Sequence, residues 1–259
     1  MVSKISILPI SDGYHIYTEP RELLFPKVSA ENIKNIPARS NDWKEWKSPY
    51  TPTLITDGAQ KILVDTGAGK LVPTAGQLHN NLKKEGVTHE DIDTVIITHL
   101  HPDHIAGLLI DDSKMIFPNA NLLLSEVELN YWSSNPKLDE INIPHEIKKM
   151  IRTTAEQFLT RYSSKIKAVP MDFKITPNIK LFAAPGHTPG HIGVEVNDGN
   201  KSTLIVGDAF LHPLHIANPG WTASVDIIPE TTIRTRRQII KRLRNEACSM
   251  LGFHLPVSI

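Results

Sequence analysis

The sequence predicts an α/β sandwich, two β-sheets face to face with helices outside. Two observations carry that expectation. Short apolar runs rich in β-branched residues recur in both halves of the 259-residue chain. Longer segments with apolar residues at helical spacing lie between them, and each sheet face or helix stripe must be covered by another element. A third observation concerns chemistry: several predicted strands run straight into histidine or aspartate.

Ile5–Leu8 and Tyr14–Tyr17 read as opening strands around an Asp12-Gly13 turn. Residues 19–50 are proline-rich and irregular, ending in Trp43, Trp46 and Tyr50, which form either a lid over a pocket or a small core of the loop itself. Thr53–Ile55 and Lys61–Val64 make a hairpin around Asp57-Gly58, closed by Asp65-Thr66-Gly67. Residues 73–85 read as a helix, with Leu78 and Leu82 four apart and Gly86 as the stop. Thr94–Ile97 and Asn121–Leu124 are strands, and Ser125 is placed to cap a short helix. Residues 146–162 present Ile147, Met150, Ile151, Phe158 and Leu159 on one helix face. Strands follow at 179–184, 192–196 and 203–206. Residues 229–247 form a basic helix with Ile233, Ile240, Leu243 and Ala247 inward. Its Arg234, Arg236, Arg237, Lys241, Arg242 and Arg244 are read as a solvated face rather than a nucleic-acid surface. Cys248 reads as a small buried hydrophobe at that helix's end, before a last strand at 250–253.

We read residues 1–259 as one domain; the length is enough for a substantial core. The net charge is zero and there is no charged tail, so nucleic acid is not the expected partner. No stretch is long and apolar enough for a bilayer, and the N-terminal apolar run is too short for a signal peptide. A single cysteine excludes an intrachain disulfide and fits a cytoplasmic protein.

The densest chemistry is Thr98-His99-Leu100-His101-Pro102-Asp103-His104-Ile105-Ala106-Gly107, directly after strand 94–97. Side chains two apart on an extended chain share a face, so His99 and His101 can converge. Pro102 suits the first position of a helix, placing Asp103 and His104 in its first turn, aimed at a neighbouring point. The spacing suggests two adjacent cation sites, with zinc the leading candidate for imidazole and carboxylate ligands. In the second half, strand 179–184 leads to Pro185-Gly186-His187-Thr188-Pro189-Gly190-His191, strand 203–206 to Gly207-Asp208, and strand 250–253 to His254.

With these motifs in this order, the chain resembles the metallo-β-lactamase-fold hydrolases from about Thr53 to His254. The resemblance implies an αββα sandwich of two mixed β-sheets with a two-metal site at one edge. By that match His99, His101 and His187 hold the first metal, Asp103, His104 and His254 the second, and Asp208 bridges them. Asp65 matches an aspartate that steadies the cluster from behind. His191 has at best such a supporting place, and His79 and His89 are read as surface residues.

Within the family the chain looks nearest to the N-acyl-homoserine lactonases and the methyl-parathion-hydrolase-like enzymes, and most like the latter in Val64–Gly69, Leu78–Gly86 and His99–Gly107. Asp208 stands where the dizinc β-lactamases have cysteine, which disfavours β-lactams. Leu211 stands where the lactonases have tyrosine, and His212 and His215 either face the substrate or are ordinary loop residues. Two divalent ions offset by Asp103, Asp208 and a shared hydroxide leave a formal charge of about +1, suited to a developing oxyanion. We take Asp103 and Asp208 as the catalytic carboxylates. The expected activity is hydrolysis of lactones or carboxylic esters by a metal-bridging hydroxide. The alternatives are an organophosphate triesterase, a phosphodiesterase or nuclease, or a non-catalytic metal-binding protein. The expected partner is a small-molecule substrate, and the resemblance favours a homodimer.

Overall fold

The computed structural model describes residues 5–34, 46–134, 136, 138–199 and 201–256. The chain opens with β1 (Ser6–Pro9), β2 (Gly13–Ile16), α1 (Pro20–Leu24), α2 (Ala30–Lys34), β3 (Lys47–Tyr50), β4 (Thr53–Asp57) and β5 (Gln60–Val64). It continues through α3 (Leu78–Lys84), β6 (Thr94–Ile96), α4 (Pro102–Ile105), β7 (Asn121–Ser125), α5 (Glu126–Ser133), α6 (His145–Tyr162) and β8 (Ile166–Val169). It ends with β9 (Ile179–Ala183), β10 (Ile192–Asn197), β11 (Ser202–Ile205), α7 (Pro213–Ala217), α8 (Pro229–Asn245) and β12 (Cys248–Leu251).

Two mixed sheets form the centre. One has the order β1-β4-β5-β6-β7-β8, antiparallel through β5 and parallel beyond it. The other has the order β12-β11-β10-β9, with only β11 and β12 parallel. Strand alternation divides the side chains between two layers. On β4 to β7, Ile55, Ile62, Val64, Ile96 and Leu123 face the second sheet and meet Ile179, Leu181, Val194 and Ile205. Their neighbours Leu54, Leu63, Val95, Leu122 and Leu124 face the other way, against Leu82, Ile105, Ile151 and Phe158 of the helices. Ile239 of α8 covers the outer face of the second sheet with Leu204 and Phe210. The result is the αββα sandwich.

Several local expectations need correction. Residues 19–50 are not irregular throughout: α1 begins on Pro20, and β3 pairs antiparallel with β2 in a separate two-stranded ribbon, Gly13 opposite Tyr50. The helix expected over 73–85 is limited to Leu78–Lys84, because Gly76 sits at φ +80°, outside helical geometry. Cys248 is not in a helix end; it opens β12, half-buried and paired in register with Ser202. Ala247, expected on the inner face of α8, is exposed beyond the helix end. Arg236, expected in solvent, is fully buried. Its guanidinium donates to the carbonyls of Ala209 and Trp221 and faces Asp226 at 3.7 Å. A helix turned partly into its neighbours buries any residue on the facing stripe, and a long side chain can carry its charge through to buried acceptors. His79 and His89 are half-buried, their rings in contact with each other at 2.9 Å and with Phe117. Among the described residues, no helix is long and apolar enough to cross a membrane.

Candidate metal centre

All seven expected ligands meet at one edge of the sandwich. Ring nitrogens and carboxylate oxygens of His99, His101, His187 and Asp208 form one group within 4.8 Å, and those of Asp103, His104 and His254 form a second. The local structure explains the first loop. β6 ends at Ile96, His99 and His101 follow, His101 on extended backbone, and Pro102 starts α4 so that Asp103 and His104 occupy its first turn. Asp208 follows Gly207, whose φ is +49° and where a Cβ would stand 2.6 Å from His191 Nε2. That close approach lets His191 Nε2 accept from the Asp208 backbone N–H at 3.0 Å, while its Nδ1 contacts the Ala184 carbonyl at 2.9 Å. His191 therefore holds the backbone of Asp208.

The outward nitrogen of most imidazoles is tied down. His104 Nδ1 meets Asp65 Oδ2 at 2.8 Å, and His187 Nδ1 meets Asp226 Oδ1 at 3.1 Å. His254 Nδ1 meets Ser48 Oγ at 2.8 Å and the Pro49 carbonyl at 3.1 Å. His99 Nδ1 meets Thr98 Oγ1 at 3.1 Å, and that hydroxyl donates to Asp65 Oδ2. Such contacts fix ring orientation and turn the remaining nitrogen inward. Asp65 adopts φ +60°, a conformation aspartate tolerates better than most residues, and accepts the Thr98 N–H as well.

The inner atoms lie close. Asp208 is 3.2 Å from His104 Nε2, 3.3 Å from both His187 Nε2 and His254 Nε2, and 3.8 Å from His99 Nε2. His254 Nε2 is 3.2 Å from Asp103 Oδ2, and His187 Nε2 is 2.8 Å from His101 Nδ1. His99 Nε2, His104 Nε2 and Asp208 Oδ1 are buried without a hydrogen bond. Buried polar atoms without partners are costly; His99 belongs to the first ligand group and His104 to the second, with Asp208 near both, so a cation in each group would satisfy all three.

The electrostatics agree. Burial opposes charge on these rings, yet Asp208 and the other nearby carboxylates push His104 up to about 10 and His187 up to about 9. His254 is also held well above the ordinary imidazole value, burial again being outweighed by Asp208 and Asp103. Burial and neighbouring imidazoles hold His99 and His101 well below it. Burial works against Asp103 too, but His104 and His254 bring its carboxyl down to about 2. The cluster thus attracts positive charge, and divalent cations can supply it while every imidazole stays neutral and able to ligate.

Other expected residues are placed differently. His212 and His215 do not line the cavity above the cluster. His212 accepts the Leu214 N–H at the start of α7, and His215 packs on Phe25 with Nε2 at the Leu24 carbonyl. Of the three aromatics, Trp43 lies outside the described residues. Trp46 joins a small core with Phe25 and His212, whereas Tyr50 borders the cavity and packs on His254. Leu211 does line it.

Sequence reasoning missed Ser48, Asp226 and Glu128, along with His15 and Tyr17, which line the cavity from the segment around β2. Ser48 and Asp226 carry no local motif, because each acts through a contact with a histidine distant in sequence. Glu128 had a signal, Ser125-x-x-Glu128, which reads as a capping box. Ser125 Oγ does accept the Glu128 N–H at 3.0 Å, but the glutamate side chain leaves the cap and binds elsewhere.

A family model for the metallo-beta-lactamase superfamily matches residues 48–244. A beta-lactamase-like protein 2 homolog from Drosophila melanogaster is 28% identical over 163 residues, 61% of this chain and 46% of that protein. The chain thus spans about half the length of this curated relative. A solved structure described as AidC, a dizinc quorum-quenching lactonase with a bound product, superimposes with a TM-score of 0.88 at 23% identity, covering 100% of this chain and 90% of that one. At that identity the likeness shows the fold. A structure described as hydrolase AbOPH in the beta lactamase superfamily has a TM-score of 0.83 at 26% identity, covering 99% of this chain and 89% of its own. The match across most of the sequence, on a sandwich with its histidine and aspartate cluster at one edge, places this chain in the metallo-beta-lactamase superfamily.

Proposed function

We propose that the chain is a metal-dependent hydrolase that holds two divalent cations, zinc foremost, and cleaves lactones or carboxylic esters. One observation carries the reading: His101, Asp103, His187, Asp208 and His254 form the floor of a cavity of about 270 Å³ whose walls are largely apolar. Leu71, Val72, Ile151, Leu211 and Val225 are among those walls, and among the described residues no lysine or arginine lines it. Such a cavity suits a neutral acyl or aryl group, with polar contacts confined to one end. It adjoins a larger open lobe of about 670 Å³ through His15, Tyr17, Leu23 and Ile147, giving room for a longer substituent.

Divalent ions on the two groups of ligands supply Lewis acidity towards a carbonyl oxygen and acidify water towards neutral pH. The protein's own part is orientation, exclusion of water and proton handling. Asp65, Asp226 and Ser48 keep His104, His187 and His254 turned inward. Asp103 is the more accessible of the two cluster carboxylates, its side chain 24% accessible against 3% for Asp208. Ionised in the resting cluster, its carboxylate can take up the proton released by the attacking water and pass it to the departing alkoxide. Tyr50 and Tyr17 border the cavity with phenols that burial keeps protonated.

The test is a parallel assay of one metal-loaded preparation on an acyl lactone, an aryl ester, a phosphotriester, a β-lactam and a phosphodiester. Lactone or aryl ester turnover should lead, with phosphotriester turnover as a side activity. Leading phosphodiester turnover that falls steeply with added salt would overturn the reading and favour a nuclease.

A further inference from the structure

The most completely satisfied charged group near the centre is not one of its ligands. Glu128, in the first turn of α5, is fully buried, and its carboxylate takes four donors. Oε1 accepts from the Leu100 N–H at 3.0 Å and from Trp132 Nε1 at 2.6 Å. Oε2 accepts from Thr188 Oγ1 at 2.7 Å and from the Gly190 N–H at 3.1 Å. Leu100 lies between His99 and His101, Thr188 follows His187, and Gly190 precedes His191. One oxygen thus holds the first histidine loop and the other oxygen holds the second.

The same turn of α5 clamps the second loop further. Ser125 Oγ donates to the Gly190 carbonyl at 2.6 Å, and a Cβ on Gly190 would lie 2.1 Å from the Glu128 nitrogen, so only glycine fits there. An isolated carboxylate is costly to bury, and no cation is among these contacts; the four donors offset that cost only while both loops stay in place. The outcome is a fixed separation between the two loops, read at the centre as the 2.8 Å approach of His101 Nδ1 to His187 Nε2.

We propose that Glu128 is a positioning residue that sets the spacing of the His99, His101 and His187 nitrogens and so the affinity of one of the two cation sites. This rests on the reading that the cluster binds two divalent ions. The carboxylate touches neither ion nor substrate; it acts through Leu100, Thr188 and Gly190. No hydrogen bond or ion pair joins it to Asp103, His104 or His254, so the second site is spared.

The chemistry dictates the variants. Glu128→Gln keeps the shape, but an amide has one acceptor oxygen, and its NH2 must face N–H donors on one side or the other. Thr188→Val removes one donor at nearly constant volume, and Thr188→Ser keeps it. Zinc is titrated into metal-free protein against a chromophoric chelator, reading stoichiometry and both affinities, with thermal melting of the metal-free forms alongside. Glu128→Gln should weaken one ion by at least about tenfold and leave the other unchanged. The weakened ion should be the one that His187→Ala also weakens. Thr188→Val should show the same selective loss, and Thr188→Ser should stay within about threefold of wild type. If Glu128→Gln does not fold, the Thr188 pair decides the matter. Two ions bound as in wild type by folded Glu128→Gln or Thr188→Val, or equal weakening of both sites, would overturn the inference. If wild type itself binds no zinc, the two-ion reading fails instead.

Discussion

Replacing Arg236 with methionine is the sharpest test of how the centre is supported from behind. Arg236 and Asp226 each have a side-chain exposure of 0%, at 3.7 Å from one another. The guanidinium also donates to the carbonyls of Ala209, next to Asp208, and of Trp221, and its face lies 5.9 Å from the Phe210 ring centre. Asp226 in turn holds His187 and accepts the Ala223 N–H. Arg236→Met keeps most of the apolar stem but leaves a buried carboxylate without its cation and two carbonyls without their donors. Breaking a buried pair from one side costs about 3–5 kcal/mol. For a chain of this size, about 2–4 °C per kcal/mol gives a fall in Tm of about 6–20 °C. Thermal melting at a fixed zinc concentration is the assay, because bound ions shift the apparent stability. Arg237→Met, next along the helix and exposed, is the control and should stay within about 0.5 kcal/mol of wild type. Arg236→Lys should fall between them, since it keeps the charge but loses the planar fork. A melting point for Arg236→Met within about 2 °C of wild type would refute the reasoning, because a buried, multiply bonded guanidinium cannot be removed so cheaply.

Elemental analysis of protein purified without chelator should approach two ions per chain; Asp208→Ala should lose metal and nearly all hydrolysis while remaining folded, and Cys248→Ser should turn over close to wild type. Full activity with a stable maximum of one ion would contradict the dinuclear reading. Acid stability gives an independent check at His79, whose pKa burial, and then His89, lowers to about 4. The unfolded chain takes up that proton near pH 6.5 and the folded one resists it, so stability is intact above about pH 7 and declines as pH falls towards about 4. His79→Phe, measured on metal-free protein, should flatten that decline by on the order of 1–3 kcal/mol; an unchanged slope would show that the pair does not govern it.

The strands and the ligand loops were legible because both are local. A β-branched run states its own conformation, and His99, His101, Asp103 and His104 fall within six consecutive positions whose geometry follows from the chain entering a helix at Pro102. The glycine-flanked His187 and Asp208 carry a similar local signal. The supporting shell was not legible in this way. Glu128 bonds Thr188 at a separation of 60 residues, His187 bonds Asp226 at 39, and Ser48 bonds His254 at 206. Each of these residues, taken in its own stretch, is an ordinary polar side chain of a helix, loop or edge strand. Arg236 shows the limit most clearly. Helical periodicity assigns it to a run of surface cations, and only the packing of α8 against the loops after β11 gives its guanidinium two carbonyls and a carboxylate out of water. Local sequence determined which atoms could bind a cation. Tertiary structure decided which distant groups hold them, because a buried charge is tolerated only where the folded chain brings its partners to it.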